Sequence, residues 1–195
     1  MPIIKSVSYL QDEILNWIIQ LYCPDGFELD PTYSKGNFYK NVPEPQLKFD
    51  LNPQKEDVHQ ADCKNLPLDS ESVSNIVFDP PFIIRKGGKQ NSIIQNRFSS
   101  MENYKDLYKF YEESLEEFYR LLKPKGFLIF KCQDMFNNGK QRWSHIIILQ
   151  LAEKLGFRAE DLFILLAKSR LMSPNMFNQK HSRKFHSYFW VLKKL

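Results

Sequence analysis

Residues 72–79, SVSNIVFD, have the pattern of a buried strand, and the strand runs straight into Asp79-Pro80-Pro81-Phe82. Proline fixes φ and carries no N–H, so two in succession cannot continue a hydrogen-bonded ladder. The end of this strand is therefore held to one place in the chain, with a carboxylate and an aromatic ring beside it. A basic, Gly-containing loop, IIRKGGKQ, follows at once.

Around this fixed point the chain alternates between two periods. Residues 8–21 place Leu10, Ile14, Leu15, Ile18 and Leu21 at helical spacing, with Ser8 as the candidate cap. FELD (27–30), QLKFD (46–50) and DVHQAD (57–62) are short strands before 72–79, and one helical turn is expected near residues 37–40. From Ser99 to Leu122 the period is helical, with Ser99 and Glu102 as a capping box. GFLIFKCQD (126–134) is a strand, and 142–156 is a helix closed by Gly156. EDLFILLAK (160–168) and KFHSYFWVLKK (184–194) are the last two strands. Alternation of this kind predicts an α/β fold with a mostly parallel sheet. Residues 51–56 are too few for a crossover helix, so that connection should be a bare loop. A chain that is 43% hydrophobic and 14% aromatic has ample material for a packed core.

Ligands of open α/β sheets bind beyond the carboxyl ends of the strands. Asp30, Asp50, Asp62 and Asp79 each close a predicted strand. One such acid is ordinarily a turn-former, but four in series mark a pocket along one sheet edge. At the fourth, a Pro-Pro step exposes bare carbonyl acceptors in a rigid turn, with the Asp79 carboxylate close by. Two fixed acceptors match the two hydrogens of an exocyclic amino group. Phe82 adds a flat face for a planar base, a contact worth ~1–3 kcal/mol. Accepting both hydrogens draws the nitrogen toward tetrahedral geometry, so that its lone pair points at an electrophile.

Asp-Pro-Pro-Phe resembles the D/N-P-P-Y/F signature of class I S-adenosylmethionine-dependent amino-methyltransferases, most of all the small site-specific DNA N6-adenine methyltransferases. The resemblance runs through nearly the whole chain. It implies one methyltransferase domain over 1–195, with an N-terminal helix within 1–25. The implied fold is Rossmann-like: a seven-stranded, mostly parallel sheet with an antiparallel last strand between the fifth and sixth, and helices on both faces. ELDPTYSKGNFY (28–39) is similar to the methionine-binding loop, which implies cofactor contacts from Asp30, Thr32, Ser34 and Gly36; Ser34 stands where the family more often has glycine. By the same resemblance Asp50 would hold the ribose, Asp62 the adenine amino group of the cofactor, and Cys63 would lie beside its ring. Asp79 would border the cofactor, and Asp79, Pro80, Pro81 and Phe82 would form the catalytic turn. The implied cofactor is S-adenosyl-L-methionine. N4-cytosine enzymes more often carry Ser at the position of Asp79, so adenine is the expected base.

Two basic segments extend this expectation to a polyanionic partner. Residues 83–101 hold Arg85, Lys86, Lys89 and Arg97 with no acid and contain Gly87-Gly88, which suits a flap over the target base. Residues 169–184 include Arg170, Lys180 and Arg183, which suits a substrate loop. The basic segments favour a nucleic acid without separating DNA from RNA; the resemblance implies DNA, with RNA adenine and protein side-chain nitrogen as open alternatives, and a non-catalytic nucleic-acid-binding protein is a third. Whether the chain is monomeric or dimeric stays open. Cys23, Cys63 and Cys132 have no paired spacing and the four His show none, so neither a disulfide framework nor a metal site is expected. No apolar run reaches the ~20 residues of a membrane span, and the expected location is the cytoplasm of a prokaryotic or host cell. Lys131, Gln133, Trp143 and His145 are weaker candidates for the pocket wall.

Overall fold

The computed structural model describes residues 3–82, 103–137, 139–169 and 181–195. The chain runs β1 (Val7–Ser8), α1 (Gln11–Tyr22), β2 (Leu29–Asp30), a 3-10 turn (Asn37–Tyr39), β3 (Leu47–Asp50), β4 (His59–Gln60) and β5 (Val73–Phe78). Then follow α2 (Tyr104–Leu121), β6 (Leu122–Cys132), β7 (Met135–Asn137), β8 (Lys140–Arg142), α3 (Ser144–Leu155), β9 (Phe157–Leu166) and β10 (His186–Lys194). Eight strands form one sheet in the order β1-β9-β10-β6-β5-β2-β3-β4. All seven expected strands are in it; β1 adds an edge beside β9, and β7–β8 make a separate hairpin that periodicity does not announce. β10 is antiparallel to both neighbours, β6 and β9, while the other pairings within the main sheet are parallel.

The sheet is covered on both faces. Ile14, Leu15 and Ile18 of α1 pack with Val77, Ile129, Phe163, Phe189 and Val191. On the opposite face α2 and α3 bury Leu107, Tyr111, Leu115, Phe118, Ile148 and Ala152 against Ile76, Phe78, Leu128, Phe130 and Leu192. Alternate residues of β5 and β6 thus serve opposite layers, as the two-residue period of a strand demands. β5 and β6 pair in parallel with Phe78 opposite Phe130, which sets the next residues, Asp79 and Lys131, side by side.

The expected bare crossover between β3 and β4 is found, and the β2–β3 connection has only its 3-10 turn. Aromatic side chains fill the layer that a crossover helix would occupy. Tyr33 and Tyr39 stack at 5.9 Å, Phe27 lies 6.1 Å from Tyr39, and all three are buried. The β4–β5 connection is instead tied to α2: Glu117 accepts from the Leu66 N–H at 2.8 Å, and Arg120 donates to the Leu68 carbonyl at 2.9 Å.

Local caps differ in place from the expectation. α1 starts at Gln11, not Ser8, because Ser8 is used in β1; its hydroxyl accepts from the Leu10 N–H at 2.9 Å and donates to Glu13. α2 is capped by Asn103, whose Oδ1 accepts from the N–H groups of Lys105 (2.8 Å) and Asp106 (3.2 Å). The expected capping box at Ser99 and Glu102 lies outside the described residues, as do the flap at 83–101 and positions 170–180 of the substrate loop. Gly156 closes α3 at φ 101°, as expected. Among the described residues no helix is long and apolar enough to cross a membrane.

Candidate active site

The carboxyl ends of β2, β3, β4 and β5 bring Asp30, Asp50, Asp62 and Asp79 to one edge of the sheet, but in three different environments. Asp30 is buried and fully engaged. Its Oδ1 accepts from the Thr32 N–H (2.7 Å) and hydroxyl (3.1 Å), and its Oδ2 accepts from the Tyr39 hydroxyl at 2.7 Å. Burial pushes its pKa up to about 7; the Thr32 and Tyr39 donors pull the other way, and the neighbouring Asp79 charge adds to the rise.

Asp50 holds the loop after β2 to β3. Its Oδ2 accepts from the Ser34 N–H at 2.9 Å and its Oδ1 from the Asn52 N–H at 2.8 Å. Ser34 has φ 57°, in the left-handed region that glycine occupies without cost. The backbone shape is thus kept although the side chain differs, at a cost of ~1–2 kcal/mol. Gly36 has φ 74°, and a Cβ there would collide with the Tyr33 hydroxyl. Asp62 is the open member of the set: its side chain is 44% exposed and its Oδ1 accepts from the Lys64 N–H at 3.0 Å. Cys63 turns inward instead. Its thiol is 3.7 Å from the Ser114 hydroxyl, and burial raises its pKa to about 12.

At the tip of β5 the Asp79 N–H donates to Thr32 Oγ1 at 3.3 Å, which joins the strand-end turn to the Asp30 loop. The Asp79 carboxylate faces Lys131. Nζ hydrogen-bonds Oδ2 at 3.5 Å and stands 3.4 Å from Oδ1 without making a hydrogen bond to it. Oδ1 is shielded from solvent and has no hydrogen-bond partner among the described residues, although the side chain as a whole is 28% exposed. Burial raises the Asp79 pKa, and the Lys131 charge and hydrogen bond oppose that rise. The Tyr111 hydroxyl donates to the Pro81 carbonyl at 3.2 Å, so α2 anchors the turn from below.

Lys131 is itself closely held. It donates to Gln11 Oε1 at 2.9 Å and lies 4.8 Å from the Phe38 ring, 5.5 Å from Phe189 and 5.9 Å from Phe82. A cation over aromatic faces in a poorly solvated place is stabilised by the ring quadrupoles. Gln11 has no signal in the sequence, since it lies in no motif, and Tyr39 closes the 28–39 motif without being marked there as a partner of Asp30; Lys131 is visible there only as a polar residue on an apolar strand. Gln133 turns toward β10, donating to the His186 carbonyl at 2.8 Å. His145 pairs with the buried Asp134 at 2.7 Å and stacks on Tyr188 at 4.3 Å, a cluster on the α3 side of the sheet. Trp143 is 46% exposed. Of the expected substrate residues, Phe82 and Arg183 are described; Arg85, Lys86, Lys89, Arg97, Arg170 and Lys180 lie outside the described residues.

A family model described as DNA methylase matches residues 73–194. No curated protein matches the chain. A Thermus thermophilus protein described as a DNA modification methylase, complexed with S-adenosyl-L-methionine, is 20% identical with a TM-score of 0.46, covering 66% of this chain and 50% of that one. The PvuII DNA methyltransferase, cytosine-N4-specific, is 16% identical with a TM-score of 0.48, covering 66% and 45%. The chain therefore spans about half the length of these two. A SAM-dependent methyltransferase of Thermotoga maritima is 17% identical with a TM-score of 0.53, covering 96% of this chain and 90% of that one, and it shares the fold.

Proposed function

The chain belongs to the DNA methylase family, and we propose that it transfers the methyl group of S-adenosylmethionine to the exocyclic amino group of adenine in DNA. The observation that carries this reading is Asp79 Oδ1, a shielded acceptor with no hydrogen-bond partner among the described residues, at the end of β5, where Thr32 ties the turn to the Asp30 loop. Buried polar atoms are nearly always hydrogen-bonded, so an orphaned carboxylate oxygen at a sheet edge awaits a donor. An amino group on a planar ring supplies one.

The residues also suit the cofactor. S-adenosylmethionine carries a cationic ammonium and a cationic sulfonium, and when bound it supplies an electrophilic methyl group. The edge that would receive it holds the buried Asp30 and the partly shielded Asp79 as interacting acids. Asp30, Thr32, Ser34 and Gly36 would hold the methionine part. Asp50 and Asp62 would hold the nucleoside part, Cys63 contributing through its backbone because its thiol faces the core.

The work of the chain is then orientation. Asp79 accepts an amino hydrogen and turns the nitrogen lone pair out of the ring plane, while Phe82 stacks on the base. Lys131 favours the charged form of the carboxylate against the burial that raises its pKa. A carboxylate with a raised pKa is also a better base, so Asp79 is placed to take the proton that the methylated nitrogen sheds. A base in a duplex must first be rotated out of the stack, at a cost of a few kcal/mol. Asp79, where N4-cytosine enzymes more often have Ser, supports adenine over cytosine.

The test is incubation with methyl-labelled S-adenosylmethionine and duplex DNA, single-stranded DNA, RNA or protein, followed by nucleoside analysis. The expected product is N6-methyladenine in DNA, absent with Asp79→Ala although that variant still binds the cofactor. Label in N4-methylcytosine would overturn the choice of base, label in RNA or protein the choice of substrate, and no label the enzymatic reading.

A further inference from the structure

The β7–β8 hairpin has no place in the catalytic account, yet it leaves β6 only four residues beyond Lys131. At ~3.3 Å per residue that is ~13 Å, or about four nucleotide steps at ~3.4 Å along a DNA strand. The hairpin is firmly based: the Asp134 carboxylate accepts from both the N–H of His145 (3.3 Å) and its Nδ1 (2.7 Å), which pins the start of α3 to the end of β6.

On this base two large aromatic rings stand open, Phe136 at 43% and Trp143 at 46% exposure. Each already has a cationic or stacking neighbour on one side. Phe136 stacks on His181 at 3.7 Å, and Lys184 Nζ lies 4.7 Å from the Trp143 ring. Arg142 covers Tyr104 at 3.5 Å in the same way. Lys140, at the start of β8, is exposed. No Asp or Glu occurs in 135–152 or 162–195, so nothing acidic within these stretches offsets the positive field. Three further polar atoms of the hairpin, Asn137 Oδ1, Gln141 Oε1 and Arg142 Nε, are shielded and have no hydrogen-bond partner among the described residues. Open rings and one-signed charge together fit a strand with stacked planar bases and phosphates.

We propose that the hairpin, with Trp143 and Lys184, is a docking platform for the DNA strand beside the target base, stacking unpaired bases on Phe136 and Trp143 and holding phosphates with Lys140 and Lys184. The assignment rests on the reading of the chain as a DNA methyltransferase. It adds a recognition surface on the α3 side of the sheet, separate from the turn that handles the reacting nitrogen. The target leaves its stack to react, so the nucleotides next to it are the ones most readily left unpaired.

Anisotropy with a fluorescein-labelled single strand and its duplex tests this, with cofactor affinity by calorimetry as the check on folding. Phe136→Ala should weaken single-strand binding about 10-fold, while Phe136→Tyr, which keeps the ring, should bind as the parent does. Lys140→Ala with Lys184→Ala should reduce the slope of log affinity against log salt by roughly 0.7 for each lysine removed. Cofactor affinity should be unchanged in all three. Single-strand affinity unaltered in Phe136→Ala, or a loss confined to the duplex, overturns the platform. A parent protein that binds DNA through these residues but transfers no methyl group would sink the catalytic reading and leave the platform standing. Full methylation with undiminished binding by the variants would do the reverse.

Discussion

Asp79 and Lys131 are a pair in which each residue makes the other's position tenable. Without Lys131 the carboxylate would lose its ionic partner among the described residues, and burial would drive its pKa further up. A neutral carboxyl is a poorer acceptor for an amino group. Lys131→Met should therefore move the acidic limb of the pH profile of kcat/KM to higher pH, with Lys131→Arg restoring it; an unmoved limb in the methionine variant would count against the pairing. Asp30 yields a stability prediction of definite sign. Held near 7 in the folded chain, it keeps a proton that the unfolded chain releases near ~3.9. Between those values the unfolded state binds fewer protons, so stability falls as pH rises through the window. Asp30→Asn removes that loss and should be more stabilised relative to the parent at pH ~8 than at pH ~5, by an amount on the order of a few kcal/mol. Urea midpoints at the two pH values decide it, and equal gaps would mean that Asp30 ionises normally.

At the scale of elements, the first half of the sheet is built with loops where helices are usual, and aromatic stacking replaces the missing layer. This makes the 31–39 segment depend on its backbone shape. Gly36→Ala should destabilise the chain by more than the ~1–2 kcal/mol of a left-handed alanine, because the new methyl also displaces Tyr33, which packs on Tyr39, the donor to Asp30. Chemical denaturation together with cofactor titration would show both effects. By contrast, loss of the Asn103 cap in Asn103→Ala should cost about 1 kcal/mol without touching the Asp79-Pro80-Pro81-Phe82 turn. The helices and the longer strands were legible because each carries enough residues to show its period. β1, of two residues, carries no period at all, whereas β2 and β4 are as short and were legible only through the longer FELD and DVHQAD segments around them. The β7–β8 hairpin was missed because three-residue strands of mixed polarity look like loop.

For the whole molecule, β10 is the last strand in sequence and an interior strand in space, paired with β6 over Tyr188–Lys193 and with β9 over His186–Lys194. Its final turn is locked by Lys194, which is buried and donates to the Leu122 carbonyl at 2.8 Å and to Glu71 at 3.2 Å. Truncation after Arg183 would leave two long, apolar strand edges open, which invites aggregation. The truncated chain should fail to give a cooperative thermal transition by circular dichroism, while Lys194→Met should fold with reduced stability. A cooperative transition in the truncated chain would contradict the central role of β10.

Local pattern alone settled where the helices and the seven expected strands lie, that the strand at 72–79 ends in a proline-locked turn, and that acids close the first four expected strands. Those features depend on the chemistry of neighbours along the chain. Tertiary structure alone decided which acid is satisfied and which keeps an oxygen with no hydrogen-bond partner among the described residues. Tyr39 reaches Asp30 through a loop, Lys131 meets Asp79 across 52 residues, and Gln11 meets Lys131 across 120. Contacts of this kind follow from strand order and register, which bring distant residues together only after the sheet is assembled.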